Sequence, residues 1–283
     1  MTATEAAFTC LVDYAGLFPP AALDMRSAVR NYLAYRGLPH AWMLGRFIVD
    51  ITKLDEVKDA AADEFPSIPL SVIAPADFDA RMLARRRDEG FRIDSIEIKC
   101  HEPLKIARVR ERVPEDVECY FEIPAQQACT GAIDALAAVN ARAKLRMGGI
   151  VAEAFPTAIA VAERMETLAD RGVAFKATAG LHHPLRSEHR LTYAENSPAG
   201  AMHGFVNLLC AAPLLRFGGE RAEAVRVLEE RDANAFAITR DSVVVYQHAW
   251  DAAALSEVRQ FFVSFGSCSF TEPTSELEAL GWL

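Results

Sequence analysis

AKLRMGG at residues 143–149 and VAFKATAGLHHP at residues 173–184 flank the segment TAIAVAERMETLADRG at residues 157–172. Within 157–170 the apolar residues recur at helical spacing, and Gly172 ends the helix one residue before a short apolar run begins again. The stretch therefore reads as strand, helix, strand. A connection of this length forces the two strands to run parallel, because a parallel crossover needs about a dozen residues or more.

The same alternation extends in both directions. Strands are expected at 44–51, 69–74, 95–100, 118–123, 143–148, 174–179, either 235–239 or 243–246, and 262–267, with helices at 77–87, 131–141 and 157–170. A closed barrel and an open doubly wound sheet both accommodate parallel strands. The barrel is favoured because no Gly-rich dinucleotide loop follows the first strand and because polar residues recur at the ends of at least five strands. The expected fold is thus an α/β, TIM-type (β/α)8 barrel with 1–283 as one domain. It carries an N-terminal helical extension over 1–40, with helices at 3–13 and 23–36, and a helical insertion over 181–233 after the sixth strand.

Composition agrees with a packed enzyme-sized domain: 51% of the 283 residues are hydrophobic and 24% charged. The 39 acidic against 30 basic side chains give a formal charge of −9, which disfavours nucleic acid and anionic membrane as partners. A local anion site survives that sign, because screening confines charge effects to roughly 8 Å. The opening residues carry no basic and apolar leader pattern, so a cytoplasmic protein is expected. Six cysteines without paired spacing read as reduced thiols. The expected partner is a small, anionic metabolite, and a homo-oligomer is compatible with the chain.

Strand side chains alternate between two faces, so parity picks out the polar residues that point into a barrel. Asp50 shares a face with Ile48, Glu97 with Lys99, Tyr120 with Glu122, Lys144 with Arg146, and Lys176 with Thr178. The outward face must be apolar to meet the helices, which leaves these charges inside, matched acid to base or else very costly. Such a network can be purely structural. The sharpest feature is Lys144 and Lys176 on consecutive strands. A desolvated lysine beside other cations loses its proton readily, and a neutral amine attacks a carbonyl to form a Schiff base. In this reading Lys144, Lys176, Glu122 and His183 are catalytic, Arg146 grips a carboxylate through its planar fork, and Lys99, Asp50, Glu97, His182 and His203 contact substrate.

The K-x-x-x-G of Lys144 to Gly148, followed by FKATAG, resembles the pattern of the deoxyribose-phosphate aldolases, barrel enzymes of class I. The resemblance covers about forty residues and implies a lyase with the imine on Lys144 and an activating role for Lys176, without a cofactor. Arg146 and the Gly148-Gly149 pair depart from that family's pattern, and no phosphate cradle is evident near the last strands. The segments KLRMGG, FKATAGLHH and FGSCSF also resemble those of a family of bacterial barrel proteins, which implies the same fold.

Two other functions fit the same residues. His182, His183 and His203 with Asp50, Glu97 or Glu122 could hold a divalent metal and so make a hydrolase or isomerase, although their spacing matches no standard metal motif. A barrel that binds a small anion without turnover is the third. Cys268, at the mouth of the last strand, lacks an identifiable base in the sequence and reads as buried and inert. The stretch from Asp13 to Pro20 reads as a folding turn first, and otherwise as a segment that lines the site.

Overall fold

The computed structural model describes residues 1–127 and 129–283. Eight parallel strands close a barrel: β1 (Val12–Tyr14), β2 (Leu44–Asp50), β3 (Leu70–Ala74), β4 (Ile93–Ile98), β5 (Glu118–Ile123), β6 (Arg142–Arg146), β7 (Phe175–Thr178) and, after five strands that lie outside it, β13 (Phe262–Ser267). β1 pairs with both β13 and β2, which joins the two ends of the sheet. The class is the expected (β/α)8 barrel.

The placement of the first and last strands differs from the sequence reading. The first forty residues are no mere helical extension: the helix Ala3–Phe8 stops early, and Val12–Tyr14 enters the barrel as its first strand. Three residues are too few to show a period, so the strand was hidden in an apolar run. The 235–246 region, expected to supply a barrel strand, instead forms an antiparallel sheet of β10 (Phe236–Ile238), β11 (Val243–Val245) and β12 (His248–Trp250). Its connections are too short to cross over and pair in parallel. The insertion after the strand carrying Lys176 is not helical throughout. It opens with a hairpin of β8 (Ser187–Arg190) and β9 (Ala199–Met202), before helices Phe205–Arg216 and Arg221–Glu229.

Parity works as expected on the barrel wall. Ile96, Ile98, Phe121, Leu145, Phe175 and Ala177 are fully buried and alternate with the polar interior set. The helix Ala158–Asp170 buries Val161, Ala162, Met165 and Leu168 on one stripe, and its first turn is capped by Thr157, whose hydroxyl accepts from the Ala160 amide at 3.2 Å. Among the described residues no helix is long and apolar enough to cross a membrane.

Asn207 ties the insertion together. Its amide donates to the carbonyls of Val227 at 2.7 Å and Glu230 at 2.9 Å, and its Oδ1 accepts from the Arg186 amide at 2.9 Å. Asn207→Leu strands three backbone groups, of which the Val227 carbonyl is fully buried; at about 1–3 kcal/mol for each lost partner, a loss of at least about 3 kcal/mol is expected in urea unfolding. A change within 0.5 kcal/mol, about the scatter of surface substitutions, would show that the bonds contribute little.

Candidate functional site

Strand register sets Glu122, Lys144 and Lys176 side by side: Glu122 is opposite Lys144, and Lys144 is opposite Lys176. Their side chains point inward and meet Glu97 from β4 and Asp13 from β1. Lys176 Nζ lies 2.5 Å from Asp13 Oδ2 and 2.7 Å from Glu97 Oε1. Lys144 Nζ lies 2.9 Å from Glu97 Oε2 and 3.2 Å from Glu122 Oε2. Glu97 therefore bridges the two lysines. Hydroxyls complete the shell: Ser71 donates to Glu97 Oε1 at 2.6 Å, Ser95 donates to Ser71 at 2.7 Å, and Ser264 donates to Asp13 Oδ2 at 2.8 Å.

Below this layer, toward the strand N-termini, Glu118 is gripped by Arg46 at 2.8 Å and Arg142 at 2.7 Å, and the Tyr120 hydroxyl donates to it at 2.8 Å. Lys176 sits over the Tyr120 ring. A second cavity of about 340 Å³ opens at that end, bordered by Asp13, Arg46 and Ser264. Above the layer opens a cavity of about 370 Å³ at the strand C-termini, bordered by Glu97, Glu122, Lys144, Arg146, His182 and Cys268 among others. Phe18, Pro20, Ile48, Leu191 and Met202 give it an apolar upper wall.

The two lysines have different environments. Lys176 is completely buried and Lys144 reaches the cavity with 9% of its side chain exposed. Burial would lower the pKa of Lys176, but the carboxylates of Asp13 and Glu97 outweigh it and hold the ammonium above its ordinary value. Burial alone would likewise raise Glu97, yet Lys144 and Lys176 hold its carboxyl below the usual range. The expected depression of a lysine by neighbouring cations is therefore reversed at Lys176, because Glu97 and Asp13 stand next to the ammonium. Lys144 Nζ meets Glu97 Oε2 at ion-pair distance but at a poor angle, so that oxygen is buried without a directed hydrogen bond.

The remaining expected residues divide. Arg146 stands at the rim, half exposed, with its guanidinium 3.8 Å from Glu122, and Lys99 is exposed on the same border. Asp50 shares no cavity wall: it turns back to cap the next turn, its Oδ1 accepting from the Thr52 amide at 2.9 Å and hydroxyl at 2.6 Å. His183, expected as an acid/base, lies outside the cavity, with Nδ1 2.7 Å from Glu276 and its ring stacked on His189 at 3.3 Å. His203 also lies outside it. Its Nε2 donates to the Pro156 carbonyl at 2.7 Å, and its Nδ1 faces the Arg186 guanidinium at 3.2 Å.

His182 does reach the cavity, on a turn that the backbone makes by left-handed angles at Ala179 (φ 61°) and Gly180 (φ 68°). A Cβ on Gly180 would fall 2.6 Å from the Phe155 ring, so glycine is required there. Burial would lower the pKa of His182, but Cys268 and Glu272 outweigh it and push it up to about 9. Among the described residues no group of three or more His, Cys, Asp or Glu side chains stands in metal-holding geometry. The histidines expected as ligands are dispersed to separate partners.

Ser71 and Ser264 escaped the sequence reading, and Asp13 entered it only as the first residue of a stretch that could line the site. Asp13 alone carried a signal, a single carboxylate inside the apolar run from Leu11 to Phe18. The serines became functional only by strand register.

No protein-family model and no curated protein matches the chain. Among solved structures it is similar to a pyruvate carboxylase of Rhizobium etli, determined with the allosteric activator acetyl coenzyme A, at 11% identity and a TM-score of 0.46. The match covers 97% of this chain and 29% of that one, so the chain spans less than a third of its length.

Two outcomes follow from the buried charges. Lys176→Met leaves Asp13 and Glu97 without their shared cation, and breaking a buried pair this way costs about 3–5 kcal/mol. Urea unfolding at neutral pH measures it, and a loss under 1 kcal/mol would mean that the network contributes nothing net. His203 is held down to about 4, chiefly by burial, so its neutral form stabilises the fold fully above pH 6.5. That contribution disappears as pH falls from 6.5 to about 4, and His203→Gln should flatten this limb of the stability profile.

Proposed function

We propose that the protein is a lyase of the aldolase type that acts on a small carbonyl compound bearing a carboxylate, through a Schiff base on Lys144. One observation carries the reading: the Lys144 amine forms part of the cavity wall, flanked by Glu97 and Glu122, while Lys176 is sealed beneath. Only Lys144 of the two has access to a ligand.

Glu122 is the proton acceptor that frees the Lys144 amine. The amine adds to the substrate carbonyl carbon and the carbinolamine oxygen leaves as water. The β-hydroxyl then loses its proton, its carbon leaves as an aldehyde, the pair of the broken carbon-carbon bond passes to the iminium as an enamine, and hydrolysis of the reprotonated imine frees Lys144. Glu122 is placed to return a proton to the carbon that gains the electron pair. Lys176, fully buried beneath the cavity, takes no part in the covalent chemistry. Its role is to hold Glu97 in position, and Glu97 in turn fixes the Lys144 amine. Arg146 and Lys99 at the rim supply the charge that would hold the carboxylate of the substrate. The cavity volume, near the lower end of the range for small-molecule sites, suits a compact metabolite.

Incubation with small aldehydes and 2-keto acids plus borohydride, followed by peptide mass spectrometry, tests the imine. A reduced adduct is expected on Lys144 and none on Lys176. Lys144→Arg, which keeps the charge, should abolish the adduct, and Glu122→Gln should slow its formation by about 10²–10⁴. No adduct on Lys144 with any member of the panel removes the Schiff base. Retention of a small anion without an adduct would favour the binding barrel.

A further inference from the structure

We propose that Cys268 is a second reactive group of the cavity, a thiol that adds reversibly to the carbonyl carbon of a small aldehyde while His182 relays its proton. The inference rests on the reading that the cavity takes a carbonyl compound, but it requires no imine. Cys268 follows directly on β13, and His182 follows the turn after β7; these strands are neighbours in the barrel, and both side chains border the cavity. Cys268 Sγ lies 3.8 Å from His182 Nδ1. The same nitrogen is 3.2 Å from Glu272 Oε2 and 3.4 Å from the Ser267 hydroxyl.

This thiol therefore has the base that the sequence did not reveal, and the base has a carboxylate beside it. Glu272 Oε2 is buried and receives no directed hydrogen bond, so His182 is the cation that answers its charge. Thiol and carboxylate face the same nitrogen, so Glu272 keeps the imidazole charged beside the sulfur, and the imidazole is the group through which the thiol exchanges its proton. The Tyr193 hydroxyl, 3.7 Å from Sγ, is the other polar group in contact with the thiol. The remaining buried cysteines offer a contrast. Cys119 and Cys210 are packed in the core, where burial pushes the thiol of each up, and neither has a histidine in hydrogen-bond reach.

In the addition the sulfur forms a bond to the carbonyl carbon and the π electron pair moves onto oxygen. His182, already the cation beside Glu272, gives its proton to that oxygen and takes the thiol proton in its place. The product is a thiohemiacetal, no electron is gained or lost overall, and release is the reverse step. In a lyase whose cleavage yields an aldehyde, such an adduct holds that fragment within reach of the lysine.

Iodoacetamide labelling of the full chain, read cysteine by cysteine with peptide mass spectrometry, tests the thiol. Cys100 and Cys129, each 7% exposed against 5% for Cys268, are internal controls of similar burial, exposed Cys10 reports on the reagent, and buried Cys210 reports on global integrity. Cys268 is expected to react about ten-fold faster than either control, and both His182→Gln and the milder Glu272→Gln should reduce its rate several-fold with the Cys10 rate unchanged. A Cys268 rate equal to the controls, or indifferent to both substitutions, overturns the assignment. Glyoxylate should protect Cys268 equally in the parent protein and in Lys144→Arg, which forms no imine. Protection in the parent alone, or in neither, refutes thiol addition. Protection in both without any borohydride adduct on Lys144 would instead refute the Schiff base and leave the thiol reading standing.

Discussion

The carboxylate of Glu97 is the interaction on which the interior depends. It lies inside a closed barrel with its side chain 1% exposed, a position that an isolated anion could occupy only at a cost of several kcal/mol. Two ammonium groups and a serine hydroxyl meet it there, from β7, β6 and β3. Because those groups arrive on different strands, the charge balance is met only when the strands are in register. A slip of one residue on β6 would swing Lys144 outward among the helices and bring Leu145 inward. The ion network thus acts as a register lock as well as a site.

From that bridge follows a division of labour between the lysines. The same carboxylate that holds Lys176 charged and immobile also fixes the amine of Lys144 at the cavity edge. Glu122 and Arg146 extend the series to the rim, so that charge alternates from the buried interior to the open mouth: Asp13, Lys176, Glu97, Lys144, Glu122, Arg146. An alternating row lets a proton shift at one member be compensated by its neighbour without exposing a bare charge to the apolar wall.

The loops above the strands set what the network can reach. Three histidines that look alike in sequence receive three environments. His203 is held neutral by burial and locked between Pro156 and Arg186; His183 is stacked on His189 and paired with Glu276; His182 alone reaches the cavity, beside a thiol and a carboxylate. The distinction comes from partners that lie up to 93 residues away, as in the His183 to Glu276 pair. The hairpin of β8 and β9 contributes Leu191 and Met202 to the cavity, so the insertion forms part of its wall.

The sequence by itself determined the class of fold and the inward face of most strands, because a period of two is a local property that each strand carries in its own residues. Glu97, Glu122, Lys144, Arg146 and Lys176 were legible on that ground. What only the tertiary structure decided was partnership. Asp13 enters the network because a strand of three residues closes the barrel, and no periodicity can announce so short an element. Asp50 and His183 share the residue types of the site yet serve a cap and a hydrogen bond to Glu276, because their backbones aim them elsewhere. Cys268 gained a base only when β13 came to lie beside β7 and set it against the turn that carries His182. Local patterning fixes which face a side chain occupies, whereas closure of the barrel fixes which distant side chain it meets, and chemistry between side chains depends on the second.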